Sequence, residues 1–156
     1  MKIGIISDSH GNIKNIKKAV NQLGEVDYIF HLGDNVIDAL KIKEMVNYPV
    51  RYVKGNTDYT KDIEDLIVDI GNKRFLLTHG HKYGIKNSLQ RLYYKAVENE
   101  IDVVLFGHSH IPYYEEIEGV MFINPGSIGD KRWQPKETYV LLEIIHNEIK
   151  VKFNDI

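Results

Sequence analysis

Seven histidines occur in this chain, and six of them lie in short polar motifs. The motifs are Asp8-Ser9-His10, His31-Leu32-Gly33-Asp34, Gly55-Asn56, Thr78-His79-Gly80-His81 and Gly107-His108-Ser109-His110, of which only the third lacks a histidine. One histidine near a strand end is usually a surface or core residue. Six at one kind of position, with glycine, aspartate or another histidine close by, form a pattern of metal ligation. The candidate ligands are Asp8, His10, Asp34, Asn56, His79, His108 and His110. This donor set exceeds what one catalytic zinc takes, roughly three protein ligands and a water. It suits two ions sharing a bridging carboxylate. Nitrogen and oxygen donors without sulfur suit Mn, Fe, Zn, Ni or Co. Two divalent ions, offset by two carboxylates and a hydroxide, leave a charge of about +1 that favours an anionic substrate. Paired ions ~3.5–4 Å apart activate a hydroxide and clamp the oxygens of an in-line displacement at phosphorus. Phosphoester hydrolysis is the reaction this set suits first.

The motifs need elements to position them. Each follows an apolar run: Ile3–Ile6, Tyr28–Phe30, Val50–Val53, Phe75–Leu77 and Val103–Phe106. Such runs read as buried strands, and open α/β sheets bind ligands beyond the carboxyl ends of their strands. Gly33, Gly55, Gly80 and Gly107 adjoin the candidate ligands, where a missing Cβ permits sharp turns and close approach. Helical spacing marks Asn12–Leu23, with Asn12 as N-cap and Gly24 as stop. It also marks Val36–Val46, with Leu40, Met45 and Val46 facing inward, and Asn87–Asn99, with Leu89, Leu92, Tyr93, Ala96 and Val97 on one face. Three hairpins turn at Gly71-Asn72, Glu118-Gly119 and His146-Asn147. Six hairpin strands and about four crossover strands exceed one small sheet. The expected fold is α/β: a four-layer α-β-β-α sandwich of two mixed sheets, as one domain over residues 1–156.

Composition bounds the function. Formal net charge is −2, so no basic field draws the chain to polynucleotide or an anionic membrane. There is no cysteine, which excludes disulfides, thiolate zinc sites and cysteine nucleophiles and fits a reducing compartment. The first apolar run is too short for a signal-peptide core, and none approaches the ~20 residues of a membrane helix. A cytoplasmic protein is expected, and a homo-oligomer is compatible with the sequence.

In order and type, the five motifs resemble the signature of the calcineurin-like metallophosphoesterases. The short length, Asn56-Thr57-Asp58 and Asn124-Pro125-Gly126-Ser127 resemble the small YfcE-like phosphodiesterase branch over essentially the whole chain. The resemblance implies that Asp8, His10 and His110 hold one metal, that Asn56, His79 and His108 hold the other, and that Asp34 bridges. It implies two divalent ions, manganese first, and a metal-bridging hydroxide attacking phosphorus in line.

Two departures shift the expected substrate. Many members continue Gly-Asn with His-Glu; here Thr57-Asp58 follows. Many carry Asp-Arg after the Gly-Asp block; here Asn35–Asp38 contains no arginine. Both reduce positive charge near the substrate, which costs a dianionic monoester more than a monoanionic diester. The expectation is therefore a small phosphodiester substrate, with a low-specificity phosphomonoesterase as an alternative. Water would protonate the leaving group, or Asp58 with a raised pKa, or neither where the leaving group is already a good one. Asn12 is a candidate substrate contact as well as a cap, and Asn56 could also touch substrate. His81 could touch substrate or orient His79, and His31 could support Asp34 or simply pack. Asn124–Ser127 reads as a structural turn against the site. Lys131-Arg132-Trp133 reads as a surface loop with the means to cap a substrate by charge and stacking. Two other classes share the features: a scaffold of the same fold, as the retromer coat subunit resembles, and a metal-dependent amide or ester hydrolase.

Overall fold

Ile3 and Ile5 face one way from the first strand and Ile6 the other, and this alternation recurs through the molecule. The computed structural model describes residues 1–156. In chain order it contains β1 (Lys2–Ile6), α1 (Ile13–Leu23), β2 (Tyr28–His31), α2 (Val36–Met45), β3 (Val50–Tyr52), β4 (Asp65–Ile70), β5 (Lys73–Thr78), α3 (Gln90–Glu98), β6 (Val103–Leu105), β7 (Pro112–Ile117), β8 (Val120–Pro125), β9 (Thr138–Ile145) and β10 (Glu148–Asp155). A single 3-10 turn, His81–Tyr83, follows β5. The strands form two five-stranded mixed sheets, ordered β10-β9-β1-β2-β3 and β4-β5-β6-β8-β7.

Three apolar clusters account for four layers. Ile3, Ile5, Phe30 and Leu32 from the first sheet meet Phe75, Leu77, Val103, Leu105 and Ile123 from the second, forming the central core. The alternate residues Ile6 and Ile29 face outward onto Ile16, Ala19, Leu23 and Ile42 of α1 and α2. Leu76, Val104 and Phe122 face outward onto Leu92 and Ala96 of α3. A strand side chain alternates faces with period two, so an unbroken apolar run feeds two cores at once. Each fully buried Ile, Leu or Phe contributes roughly 1.5–3 kcal/mol by leaving water.

The parallel strands aim the site. β1, β2 and β3 run parallel, pairing Ile6 with His31 and His31 with Tyr52. β5, β6 and β8 run parallel, pairing Leu77 with Leu105 and Leu105 with Ile123. The polar motifs therefore leave neighbouring strands at one edge of each sheet. The three hairpins fall where expected, with left-handed backbone at Gly71, Glu118, Gly119, His146 and Asn147.

The helices depart from expectation in detail. On α2 the inward residues are Val36, Asp38, Ala39 and Ile42, whereas Leu40 and Met45 are exposed and only Val46 packs as expected. Packing on the sheet, not the distribution of apolar residues, sets that helix's rotation. The third helix begins at Gln90, not Asn87, after Ser88 Oγ accepts the Gln90 N–H at 3.1 Å. Val97 lies on its exposed side. No helix is long and apolar enough to cross a membrane.

Candidate metal centre

Backbone hydrogen bonds stitch the motif loops together. Asp8 donates its N–H to Gly33 O at 3.0 Å, and His10 donates to Asp34 O at 3.2 Å. Gly107 donates to His79 O at 3.1 Å. The turn after β8 braces both sides. Asn124 Nδ2 donates to Gly107 O at 2.7 Å and Ser109 Oγ at 3.0 Å, and Ser127 Oγ donates to Asp8 O at 2.8 Å. The structural reading of Asn124–Ser127 agrees with these contacts.

The loops adopt an unusual backbone to present their side chains. Asp8, His10, Asp34, His108 and His110 all have positive φ, between 44° and 67°. Left-handed backbone costs an L-residue roughly 1–2 kcal/mol. Such strain clusters at functional sites, where surrounding structure holds it in place. Close approach adds a further constraint. A Cβ on Gly55 would lie 2.0 Å from Asp34 Oδ1, and one on Gly107 would lie 2.1 Å from Ser7 Oγ and 2.8 Å from Asp8 Oδ2.

The candidate ligands converge. Donor atoms of Asp8, His10 and His110 lie within 4.8 Å of one another, as do those of Asp8, Asp34 and His79. Asp8, Asp34, His79 and His110 form a buried floor; His10 and Asn56 are exposed at the rim, with His108 between. His79 Nε2 stands 3.2 Å from Asn56 Oδ1 and 3.4 Å from Asp34 Oδ1. The rings of His79 and His108 lie 5.1 Å apart, as do those of His10 and His110. Asp8 belongs to both close groups, and Asp34 to the one that contains His79.

The protonation pattern suits cations. His79 Nδ1 donates to Leu32 O at 2.8 Å and His110 Nδ1 donates to Asp130 O at 2.5 Å. A carbonyl only accepts, so it fixes the proton of the neutral ring on Nδ1 and leaves the Nε2 lone pair facing the site. Asp8 Oδ2 accepts from Ser7 Oγ at 2.6 Å and from the His108 N–H at 3.1 Å. Asp8 Oδ1 is buried and receives no hydrogen bond, although His110 Nε2 lies 3.1 Å away. A bare carboxylate oxygen among imidazole lone pairs fits divalent metal ions.

Charges reinforce the arrangement. Burial opposes the Asp34 anion, but His79 and the Thr57 N–H outweigh it and hold the carboxyl well below the usual range. Burial likewise opposes the Asp8 anion, and His110 and His79 outweigh it. His79 is raised: burial resists its charge, and Asp34 and Asp8 prevail, which favours in the metal-free site a proton on Nε2 that a bound cation would replace. Burial, then His79 and Lys86, pushes His108 down to about 4.

Other expected residues take different places. Asp58 does not stand as a proton donor: Oδ2 accepts the N–H groups of Asp34 and Gly55 at 3.1 and 2.8 Å, and Oδ1 accepts that of Val36 at 2.8 Å. Both oxygens are engaged by the backbone, which corrects the leaving-group reading. Asn12 caps α1, its Oδ1 accepting the Asn15 N–H at 3.1 Å. His81 does not orient His79, a task Leu32 O performs. It lies beside His79 and His108 at ring distances of 5.5 and 6.1 Å, with Nδ1 unpaired. His31 is fully buried, accepting the Gly33 N–H at 3.2 Å on Nδ1 and facing Ser9 Oγ from Nε2 at 2.9 Å. Sequence reasoning missed Asp38, whose buried Oδ2 accepts Ser9 Oγ–H at 2.8 Å and the Gly11 N–H at 2.7 Å. Helical spacing alone gave no signal for it.

Comparison with known proteins places these observations. The model of the calcineurin-like phosphoesterase superfamily domain matches residues 1–147. The chain is 40% identical to "Probable metallophosphoesterase YsnB" of Bacillus subtilis, over 99% of this chain and 91% of that protein. It is 33% identical to "Phosphodiesterase MJ0936" of Methanocaldococcus jannaschii, over 81% of this chain and 83% of the relative. Among solved structures, a predicted phosphoesterase from Streptococcus pneumoniae TIGR4 superposes with a TM-score of 0.84 at 33% identity, covering 99% of this chain and 88% of the other.

Proposed function

The chain belongs to the calcineurin-like phosphoesterase superfamily, and from that premise we propose that it is a dinuclear-metal phosphodiesterase acting on small diesters. The observation that carries this reading is the buried, hydrogen-bond-free Asp8 Oδ1 at the meeting point of two donor groups. Asp8, His10 and His110 would hold one ion, Asn56, His79 and His108 the other, and Asp34 would contact both. Manganese, the ion the resemblance puts first, and nickel, iron, zinc or cobalt are all compatible with nitrogen and oxygen donors. When bound, such a pair supplies an activated water and Lewis-acid charge for phosphoryl oxygens.

The chain's own residues set the conditions. Leu32 O and Asp130 O hold His79 and His110 in the ligand-ready tautomer. Ser7 and the His108 N–H fix the Asp8 carboxylate. Asp58 fixes the loop of Asp34 and so acts as a positioning residue. No arginine lies in the Asn35–Asp38 segment, and the Asn56 loop supplies no histidine, which favours a monoanionic diester. His81, beside the rings of His79 and His108, would be the histidine next to the ligands that contacts the substrate.

The test is a paired assay of the manganese-loaded chain on bis-p-nitrophenyl phosphate and p-nitrophenyl phosphate. The proposal expects kcat/KM to favour the diester. Preference for the monoester would replace it with the low-specificity phosphomonoesterase, and no turnover of either would favour a scaffold.

A further inference from the structure

A cavity of about 520 Å³ opens directly beside His110, between the connection preceding α3 and the loop after Gly129. Of the candidate ligands, only His110 lines it. Its size falls within the roughly 300–1,000 Å³ of small-molecule sites. Ile85 and Phe106 are buried in its wall, and Phe106 meets Tyr113 edge to face at 6.1 Å between ring centres. Lys86, Arg132 and Trp133 line its rim.

Two relationships join the cavity to the metal centre. His110 lines it and also donates to Asp130 O, the residue from which the Lys131–Trp133 loop departs. Ser127 Oγ receives the Asp130 N–H at 2.8 Å while donating to Asp8 O, so this loop is anchored on the site. Lys131 Nζ donates to Pro135 O at 2.9 Å and closes the loop on itself. Trp133 has 96% of its surface exposed, an indole that nothing in the chain covers.

Given the phosphodiesterase reading above, on which this rests, we propose that the cavity seats one ester group of the substrate, and that this group is a planar aromatic of nucleobase size. Aliphatic and aromatic walls with one exposed indole suit a flat ring, because stacking accepts any π-face. Lys86 and Arg132 stand where they attract the attached anion.

Trp133 is the single tryptophan, so its fluorescence reports the cavity without turnover. The metal-free chain is titrated with adenosine 5′-monophosphate and with ribose 5-phosphate, which lacks the base. Saturable quenching by the nucleotide alone is expected; equal responses, or none, would overturn the subsite. The loaded enzyme is then compared on bis-p-nitrophenyl phosphate and ethyl p-nitrophenyl phosphate, which share a leaving group. Trp133→Ala is expected to raise KM for the bis-aryl ester about 10-fold more than for the ethyl ester, with Trp133→Phe restoring it. An equal change for both esters would overturn the subsite while hydrolysis stands. Base-dependent quenching without any phosphoester turnover would instead overturn the catalytic reading and leave an aromatic-binding cavity.

Discussion

Asp58 Oδ2 accepts the backbone N–H of Asp34 at 3.1 Å, across 24 positions of sequence. The same carboxylate holds Gly55 and Val36, so it joins the loop after β3 to the loop after β2. Asp58→Asn would set an amide N–H₂ against backbone donors. The expected loss is about 1–3 kcal/mol of stability, from buried or partly buried donors left unpaired. The acid and alkaline limbs of the pH–rate profile should keep their positions, because Asp58 transfers no proton. Urea unfolding and the pH profile check the two statements, and a lost limb would restore Asp58 as a proton donor.

Gly55→Ala places a Cβ 2.0 Å from Asp34 Oδ1 and 2.6 Å from Asp34 N. Neither atom can move without breaking the Thr57 or Asp58 contacts. The expected result is manganese affinity reduced by about 10-fold or more, the scale on which residues supporting ligands act. Calorimetric titration with manganese measures it. Unchanged affinity would remove Asp34 from the set of ligands.

His31 makes stability depend on pH. Burial depresses its pKa from 6.5 to about 4, and protonating Nδ1 would turn a donor against the Gly33 N–H. The folded state thus favours the neutral ring. Between pH 6.5 and 4 the unfolded chain binds the extra proton, so stability is full above 6.5 and falls as pH drops through the window. The largest contribution is about 3 kcal/mol. Denaturant titrations of the metal-free chain across this range should show the fall. His31→Asn, which retains an acceptor near Gly33, should flatten part of the slope; the same slope in both would assign it to His108 and its neighbours.

Asn124→Ala should loosen the ligand loops while sparing the core. It removes the donor to Gly107 O and Ser109 Oγ and the acceptor of the Gly126 N–H. The expected cost is about 1–3 kcal/mol, with manganese binding weakened alongside. Equilibrium unfolding and metal titration of the same variant measure both; intact metal affinity would show that the loop after β6 holds its shape alone.

Much of this architecture was legible because strand alternation and motif position are local signals. Ile3, Ile5 and Ile6 announce a strand buried on both faces, and Asp8 and His10 follow at its end. Turn chemistry at Gly71-Asn72 and His146-Asn147 marked hairpins for the same reason. What was hidden depends on contacts between distant segments. The left-handed backbone at Asp8, His10, Asp34, His108 and His110 is imposed by bonds such as Asp8 N–H to Gly33 O. Aspartate and histidine tolerate that conformation better than most residues, which was the available clue. The rotation of α2 turns Asp38 beneath Ser9 and Leu40 outward, and no local pattern in that segment announces it. Asp58 looked chemical because it sits in a motif, yet its partners are backbone groups supplied by another loop.

Asp8, His10, Asp34, Asn56, His79, His108 and His110 are proposed to bind, together, two metal ions that drive phosphodiester hydrolysis. Metal content per chain, measured by mass spectrometry after manganese loading and desalting, tests it most directly when paired with bis-p-nitrophenyl phosphate turnover. Two ions per wild-type chain with turnover are expected, and fewer ions with turnover abolished in His79→Ala and Asp34→Ala. A wild-type chain that retains no stoichiometric ion and gains no hydrolysis from manganese would contradict it.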